Sequence, residues 1–292
     1  MSFTNGGLVM LEEMLKQLPP SEKKIASFIL ENPRESITLT ANELGKRSDT
    51  SSAAVIRLCK SLNLKGFQEL KLRIAGDLQN TNDREFRDIE PNESPFSIIE
   101  KMTNNSIQTI QETAELLSIE ELAKAVEVLQ NANTVHFFGV GASSIIASDA
   151  QQKFLRINKN ATAFSDIHMA ATLVANVQKD DVVFGVSFSG KTFEVAKILE
   201  LANKRGAHTI SLTKYGSSLV SDQADIRLYT AATREPTFRS GATSSRIAQL
   251  HVIDILFMSV ASRQYEQTIT YLDETRNAVD TLRDNIKSNP KH

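Results

Sequence analysis

The chain has little cysteine, little net charge and no long apolar run. Cys59 is the one cysteine among 292 residues, which excludes a disulfide framework and a cysteine-rich zinc site. The longest apolar stretch, residues 252–261, is short and contains Asp254, so we expect no transmembrane helix. Glu12 and Glu13 stand early and no basic segment precedes them, so we expect no secretory signal. Together these absences predict a soluble protein of the cytoplasm.

The composition favours packed domains, and the charge is unevenly distributed. The 292 residues are 41% hydrophobic, and 33 basic side chains oppose 35 acidic ones. This length suits one or two domains, and this apolar fraction is sufficient for packed cores. Residues 44–73 hold seven basic and two acidic side chains, whereas residues 80–130 hold four basic and eleven acidic ones. Such a separation predicts that the N-terminal part binds a polyanion.

The sequence pattern divides the chain into three regions. Residues 1–78 have apolar residues at helical spacing and are predicted to form an all-helical domain. Residues 79–95 are polar and punctuated by proline, and are predicted to be a linker. Residues 96–292 are predicted to form an α/β domain, in which short apolar runs alternate with helical patterns. The runs that we predict as strands are 135–140, 161–164, 182–186, 209–212 and 226–229.

Short apolar runs that alternate with helices are typical of a doubly wound parallel sheet. In such sheets, ligands bind beyond the carboxyl ends of the strands. The loops that follow the predicted strands are therefore where binding residues are expected.

The segment 44–62 has the pattern of a helix-turn-helix. Thr40 and Glu43 form a capping box at the start of a short helix, and a polar turn leads to a second helix that starts near Ser51 or Ser52. One face of that second helix is apolar and is predicted to be buried. Its members are Ala54, Val55, Leu58 and Leu62.

The other face of the second helix is predicted to bind DNA. Ser51 and Ser52 lie at its N-terminal end, where a recognition helix enters the major groove. Arg57 and Lys60 lie on the face that the apolar residues leave free, and Lys65 follows the helix. Lys71 and Arg73 are further candidates for phosphate contacts. The alternative is a small helical bundle with solvated basic residues; in either case Cys59 is predicted to be a buried filler.

A glycine turn follows the first predicted strand. Gly141, Ala142 and Ser143 precede a helix predicted over 145–156, and such a turn presents backbone N–H groups to an anion. The turn is half of a dinucleotide fingerprint, with Ser144 in place of the third glycine. Asp166 stands about where a ribose-binding acid is expected, so a nucleotide site remains an alternative.

A hydroxyl-rich turn follows the third predicted strand. Ser187, Ser189, Gly190 and Thr192 precede another helix. Hydroxyls and amides at a helix N-terminus donate to a phosphate, while the helix dipole favours its charge. The spacing is not that of a Walker loop. The alternative is a serine-rich turn that only caps the helix.

These two turns carry a resemblance. The sequence Ser187-Phe-Ser189-Gly190-Lys-Thr192, with Gly141-Ala-Ser143, resembles the S-x-S-G-x-T motif of the sugar isomerase (SIS) fold. With a helix-turn-helix in front, the chain is similar to the RpiR family of bacterial transcriptional regulators. Residues 51–77 are typical of that family's DNA-binding domain and 239–250 of its effector domain. Within the family it is most similar to MurR-like regulators, which sense N-acetylmuramic acid 6-phosphate.

The resemblance implies the residues of an effector site. Implied phosphate ligands are Ser143, Ser187, Ser189, Gly190 and Thr192. Implied sugar contacts are Gly141, Ala142, His168, Glu235 and Arg239. His168 is expected in a loop after a strand, and its alternative is a surface histidine; Glu235 is alternatively a solvated loop acid. A lactyl carboxylate needs a further cation, for which Arg239 and Arg246 are the candidates.

The resemblance also implies the partners. We expect operator DNA, an amino-sugar 6-phosphate and a second copy of the chain, as a homodimer or homotetramer, with no cofactor and no metal. The expected function is a regulator, a repressor, of amino-sugar or cell-wall sugar catabolism. The alternatives are a SIS-fold isomerase or etherase, since this fold hosts both chemistries, and a sugar-phosphate-binding module without DNA activity.

Overall fold

A computed structural model describes residues 6–79, 89–231 and 243–288, and side chains within 6–78, 89–231 and 243–282. Helices come first, and strands and helices alternate afterwards. The helices are α1 (Gly7–Met14), α2 (Pro20–Glu31), α3 (Pro33–Ser36), α4 (Ala41–Arg47), α5 (Ser52–Ser61), α6 (Phe67–Gln79), α7 (Pro95–Leu116), α8 (Ile119–Asn131), α9 (Ala142–Leu155), α10 (Ile167–Val174), α11 (Phe193–Arg205), α12 (Thr243–Arg263) and α13 (Tyr265–Ser288). The strands are β1 (Thr134–Gly139), β2 (Asn160–Phe164), β3 (Val182–Val186), β4 (His208–Lys214) and β5 (Ile226–Thr230).

The chain divides into two compact units. The first consists of the described residues within Met1–Leu117, Lys214–Ser217 and Tyr229–Ala248. The second consists of those within Ser118–Thr213, Ser218–Leu228 and Gln249–His292. The linker at 79–95 and the domain limits expected from the sequence stay a prediction.

The first unit has a core of large apolar side chains from α1, α2 and α4 to α6. Nine of its members are 0% exposed. They pack the short helices against one another, and none of these helices would be stable alone. These nine are Leu11, Ile25, Ile29, Leu44, Val55, Leu58, Leu62, Leu70 and Ile74. The predicted buried face of α5 is thereby confirmed, since Ala54 is also only 1% exposed.

Cys59 lies in this core and is 0% exposed, as predicted for a filler. Burial raises the pKa of its thiol to about 11. The thiolate is the reactive form, so we expect no labelling of the native protein by a thiol reagent at about pH 8 and complete labelling in denaturant. Following the labelling by mass spectrometry measures this directly. Rapid labelling of the folded chain would contradict the buried placement of Cys59.

The end of α5 is held by a side chain from a distant part of the sequence. Tyr215, also in the first unit, donates its hydroxyl to the carbonyl oxygen of Leu62 at 2.7 Å. Its ring lies 5.2 Å from that of Tyr229, edge to face, and burial raises the pKa of the Tyr215 phenol. The hydrogen bond satisfies a carbonyl at the C-terminal end of the helix, where intrahelical partners run out.

The five strands form one parallel sheet in the order β2-β1-β3-β4-β5. All five predicted strands are present with small shifts of their ends. The central strand β3 is buried at all five positions, as its continuous apolar run predicts. The predicted fold class, a helical part followed by a doubly wound α/β part, is confirmed. Phe137 packs against Phe154 and Phe184, with ring centroids 5.6 and 5.4 Å apart.

The strand order reverses between β1 and β3. From β1 the chain crosses to β2 on one side, and from β3 it continues to β4 and β5 on the other. Such a switch point leaves a crevice at the carboxyl ends of the two central strands. The loops after β1 and β3 begin there.

Membrane-spanning helices are not found in the part of the chain that the structure describes.

Candidate functional site

The turn after β3 pairs two of its hydroxyls. Ser187 Oγ lies 2.7 Å from Thr192 Oγ1, and Ser187 is 2% exposed. Thr192 is the N-cap residue of α11, yet its side chain makes no capping hydrogen bond. A turn that only caps its helix would need a hydrogen bond from an amide of α11 to the Thr192 side chain, and this bond is not made. The first amides of α11 receive no acceptor from the N-cap side chain and are suited to an anion.

Gly190 shapes this turn. Its φ of +67° lies in the left-handed region, and a Cβ built there would lie 2.5 Å from Ser218 Cβ. The Gly190 amide donates to the Ser187 carbonyl at 3.0 Å, and its carbonyl accepts from the Val220 amide at 3.0 Å. Ser189 Oγ accepts from the Lys191 amide at 3.2 Å. No residue with a side chain fits at position 190 without moving the turn.

The turn after β1 begins its helix earlier than predicted. The helix starts at Ala142, not at residue 145, so Ser143 belongs to its first turn and is 9% exposed. Gly139 permits this start because it has no Cβ. A Cβ at this position would lie 2.6 Å from the Ser143 carbonyl oxygen and would clash with it. Gly141 has a φ of +60°. Ser144 Oγ donates to the Gly141 carbonyl at 2.7 Å, a bond internal to the turn.

Strand register brings the two turns to the same edge of the sheet. β1 and β3 pair in parallel, and Gly139 is opposite Val186. The two strands therefore end at the same level, and the turn with Ser143 leaves the sheet beside the turn with Ser187. Both turns lie at the switch point, where an anion would meet the N-termini of α9 and α11.

His168 is not in a loop. It lies in the first turn of α10 and is exposed, so the expectation of a loop position was wrong. Asp166 is the reason: its carboxylate accepts from the Met169 amide at 2.9 Å and starts the helix right after β2. Asp166 therefore acts as a helix cap, which accounts for an acidic residue at this position without a bound dinucleotide.

Two of the remaining predicted sugar contacts, Gly141 and Ala142, belong to the turn after β1. Ala142 is the first residue of α9 and is exposed, like Gly141. Glu235 and Arg239 lie outside the described residues. Arg246 is in the first turn of α12 and is half-buried. Within the described ranges, no cluster of three or more histidine, cysteine, aspartate or glutamate residues is placed to hold a metal ion.

Helices α4 and α5 form the predicted helix-turn-helix. The Thr40–Glu43 capping box is present with both of its bonds. In the turn, the Thr50 amide donates to the Gly45 carbonyl at 2.7 Å, and Asp49 has a φ of +52°. A Cβ at Gly45 would lie 2.7 Å from the Ser51 carbonyl carbon, so glycine permits the close approach of the two helices.

The predicted DNA-binding residues lie on or beside the solvent face of α5. Ser51 is the N-cap and accepts from the Ala54 amide at 3.3 Å, while Ser52 is the first helical residue. Lys60 and Lys65 are exposed. Their exposure leaves both cations accessible to a polyanion.

Arg57 is exposed and oriented by a buried acid. Its Nε lies 3.8 Å from Glu22 Oε1, and its side chain is 56% exposed. Glu22 is 4% exposed and accepts from Ser61 Oγ at 2.7 Å. The buried carboxylate therefore limits the positions that the guanidinium can take.

Lys71 and Arg73 make contacts within the protein. Lys71 Nζ donates to the Leu39 carbonyl at 3.1 Å and lies 5.5 Å from the centroid of the Phe67 ring. Arg73 is paired with Glu69 at 3.2 Å and is mostly buried. The contacts of both side chains with DNA phosphates stay a prediction.

Two contributors were missed from the sequence. Ser218 packs directly against Gly190. The sequence Gly216-Ser-Ser218 after β4 could have indicated another polar turn at this edge of the sheet. Glu22 orients Arg57, but nothing in its local sequence marks it as buried.

Comparison with known proteins covers both parts of the chain. A helix-turn-helix domain model of the rpiR family matches residues 5–81, and a SIS domain model matches residues 128–259. The uncharacterized HTH-type transcriptional regulator YbbH of Bacillus subtilis is 52% identical over 96% of this chain and 99% of its own length. The uncharacterized HTH-type regulator TTE0211 of Caldanaerobacter subterraneus is 46% identical over 92% of this chain and 95% of its own.

A solved structure is similar over nearly the whole chain. It is the NanR protein of Vibrio vulnificus in complex with ManNAc-6P, with 30% identity and a TM-score of 0.60. The match covers 94% of this chain and 98% of that one. With the two domain models in this order and these relatives, the chain belongs to the RpiR family of HTH-type transcriptional regulators, in which a SIS domain follows the helix-turn-helix.

Proposed function

We propose that this regulator is a repressor of amino-sugar or cell-wall sugar catabolism, and that its SIS domain senses a hexosamine 6-phosphate. N-acetylmuramic acid 6-phosphate is the proposed effector. The observation that carries the proposal is the pair of turns at the switch point, with Ser143 on one and Ser187 paired to Thr192 on the other. The effector would relieve repression by its differential affinity for two states of the protein.

The phosphate is assigned to the two turns. Ser143, Ser187, Ser189 and Thr192 would donate hydroxyls, and the backbone around Gly190 would donate amides. Hydrogen bonds to a dianion are stronger than those between neutral groups, and the dipoles of α9 and α11 add to them. The complex of NanR with ManNAc-6P supports this chemistry, because that relative binds a phosphorylated hexosamine.

The sugar contacts are assigned more broadly. Gly141, Ala142 and His168 follow β1 and β2, which pair as neighbours, and exposed groups at such strand ends are suited to hydroxyls. Glu235 and Arg239 complete the proposed set.

The test of the effector is a calorimetric titration of the full chain. The panel is N-acetylmuramic acid 6-phosphate, N-acetylmannosamine 6-phosphate and N-acetylglucosamine 6-phosphate, with each unphosphorylated sugar as control. We expect binding of phosphorylated sugars alone, and the tightest binding for the first. A ligand at about one hundred times its Kd stabilises the folded state by about 2.7 kcal/mol, so thermal melting checks the result independently.

We further propose that the effector is bound and not converted. An isomerase or etherase needs a positioned acid or base near the reacting atoms, and we assign no catalytic residue to this chain. Incubation of each phosphorylated sugar with the protein, followed by NMR, is expected to leave the sugar unchanged. Turnover would favour the enzyme alternative.

Arg57 provides a test of the DNA interface. Replacement by alanine is expected to lower operator affinity by about 1–3 kcal/mol if the guanidinium contacts a base edge. Fluorescence anisotropy with a selected duplex measures this loss. Glu22→Gln is the control, because it removes the ion pair and retains the Arg57 side chain. Equal losses for the two variants would assign the effect to the fold, and an unchanged affinity of Arg57→Ala would remove Arg57 from the interface.

A further inference from the structure

The exposed face of α5 carries an apolar side chain that the core does not use. Ile56 is 43% exposed, whereas the four apolar residues on the other face of α5 are each at most 1% exposed. These four are Ala54, Val55, Leu58 and Cys59.

Local stability does not account for isoleucine at this position. A β-branched residue has a lower helix propensity than lysine, glutamate or alanine, because its side chain loses freedom against the preceding turn. Its exposed apolar surface gains little from folding. Single exposed apolar residues are common on proteins, so the surroundings of Ile56 decide what it does.

Those surroundings are the DNA-binding face itself. Ser52 lies four residues before Ile56 and Lys60 four residues after it, so all three share one side of the helix. Arg57 is adjacent and 56% exposed, and no acidic residue occurs in α5. An apolar side chain in the middle of a cationic helix face matches the major groove, where phosphates line the edges and base edges form the floor.

We infer that Ile56 is a specificity-determining residue that contacts the C5-methyl group of thymine in the operator. Thymine presents the one methyl group among the base edges of the major groove, and apolar side chains are its partners. The inference rests on the proposed DNA-binding function and deepens it, because it names one feature of the bound sequence. The basic neighbours favour DNA over an apolar protein partner.

The first experiment selects binding sites from a random-sequence duplex library with the full-length wild-type protein. Each thymine of the selected duplex is then replaced singly by deoxyuridine, which lacks the methyl group. We expect a loss of about fourfold in affinity at one or two positions, the equivalent of one buried methyl group.

The second experiment repeats these titrations with Ile56→Ala. On the thymine duplex the variant is expected to bind about fourfold more weakly than wild type, and deoxyuridine at the same position is expected to cause no further loss. Ile56→Val keeps the β-branched shape and is expected to retain part of the methyl sensitivity. Ile119→Ala is the matched control, since Ile119 is 56% exposed on α8, and it is expected to behave as wild type.

Four outcomes would overturn the inference. Ile56→Ala that binds the thymine duplex as tightly as wild type, and keeps the full sensitivity to deoxyuridine, would show that another group contacts the methyl. Equal weakening on both duplexes would assign Ile56 to the fold or to a protein contact, and thermal melting distinguishes the two. A wild-type protein that selects no sequence would remove the proposed DNA-binding function, and the inference with it; selection without a thymine effect would remove the inference alone.

Discussion

Replacing Ser189 and Thr192 together by alanine is expected to abolish the effector response while leaving DNA binding intact. The double variant removes two hydroxyls from the turn after β3, one of which is paired with Ser187 at 2.7 Å. A hydrogen bond to a charged group contributes about 1.5–3 kcal/mol. Two such losses lower the affinity for a phosphorylated sugar by roughly a hundredfold or more.

The measurement is calorimetric titration of the effector, followed by anisotropy of a selected duplex with and without it. The matched control replaces Thr270 and Thr281 by alanine, because their hydroxyls donate to carbonyls of their own helix α13. This control loses two hydroxyls as well, with one additional methyl group, at positions far from either turn in the sequence, and is expected to respond as wild type. If the Ser189 and Thr192 variant still responds normally, the phosphate site lies elsewhere.

Gly190→Ala is expected to disrupt the same turn by a different route. The residue has a φ of +67°, and a Cβ would lie 2.5 Å from Ser218 Cβ. A left-handed conformation costs a non-glycine residue about 1–2 kcal/mol, and the steric conflict adds to it. We expect loss of effector binding and a lower melting temperature.

Gly206→Ala separates strain from steric conflict. Gly206 has a φ of +80°, but a Cβ there would meet nothing within 4 Å. It ends α11, the helix that the Gly190 turn begins, so both variants affect the same element. Gly206→Ala is expected to lower the stability of the fold only by the cost of the left-handed conformation, and to keep the wild-type affinity for the effector. Equal behaviour of the two variants in melting and titration would contradict the packing of Gly190 against Ser218.

Much of the fold follows from local sequence. Buried parallel strands require apolar side chains on both faces, so short continuous runs such as 182–186 located the strands. The side chains of Thr40 and Glu43 each accept a hydrogen bond from the other residue's backbone amide. Such a capping box can be predicted from sequence because its two residues are only three positions apart. The placement of both hydroxyl turns after strands rests on the same logic.

Other features depend on contacts that local sequence does not encode. α9 begins at Ala142 because Gly139 leaves room for the Ser143 backbone, which is a property of the packed turn. His168 lies on a helix because Asp166 caps it, a signal that was present and was missed.

Long-range partners were the least predictable. Glu22 meets Arg57 across 35 residues of sequence, and Tyr215 meets Leu62 across 153. Lys71 contacts a carbonyl and an aromatic ring of the protein, which its charge alone did not predict. Charge patterning identifies a cationic region, but packing decides which of its members remain accessible.

The most direct test of the central proposal is a DNA titration of the full chain, followed by anisotropy, with and without N-acetylmuramic acid 6-phosphate. We predict a sequence-selective, salt-dependent complex whose affinity falls by at least about fivefold when the sugar phosphate is present. A DNA affinity that no hexosamine 6-phosphate changes, in a protein whose melting temperature is also unchanged by all of them, would contradict the proposal.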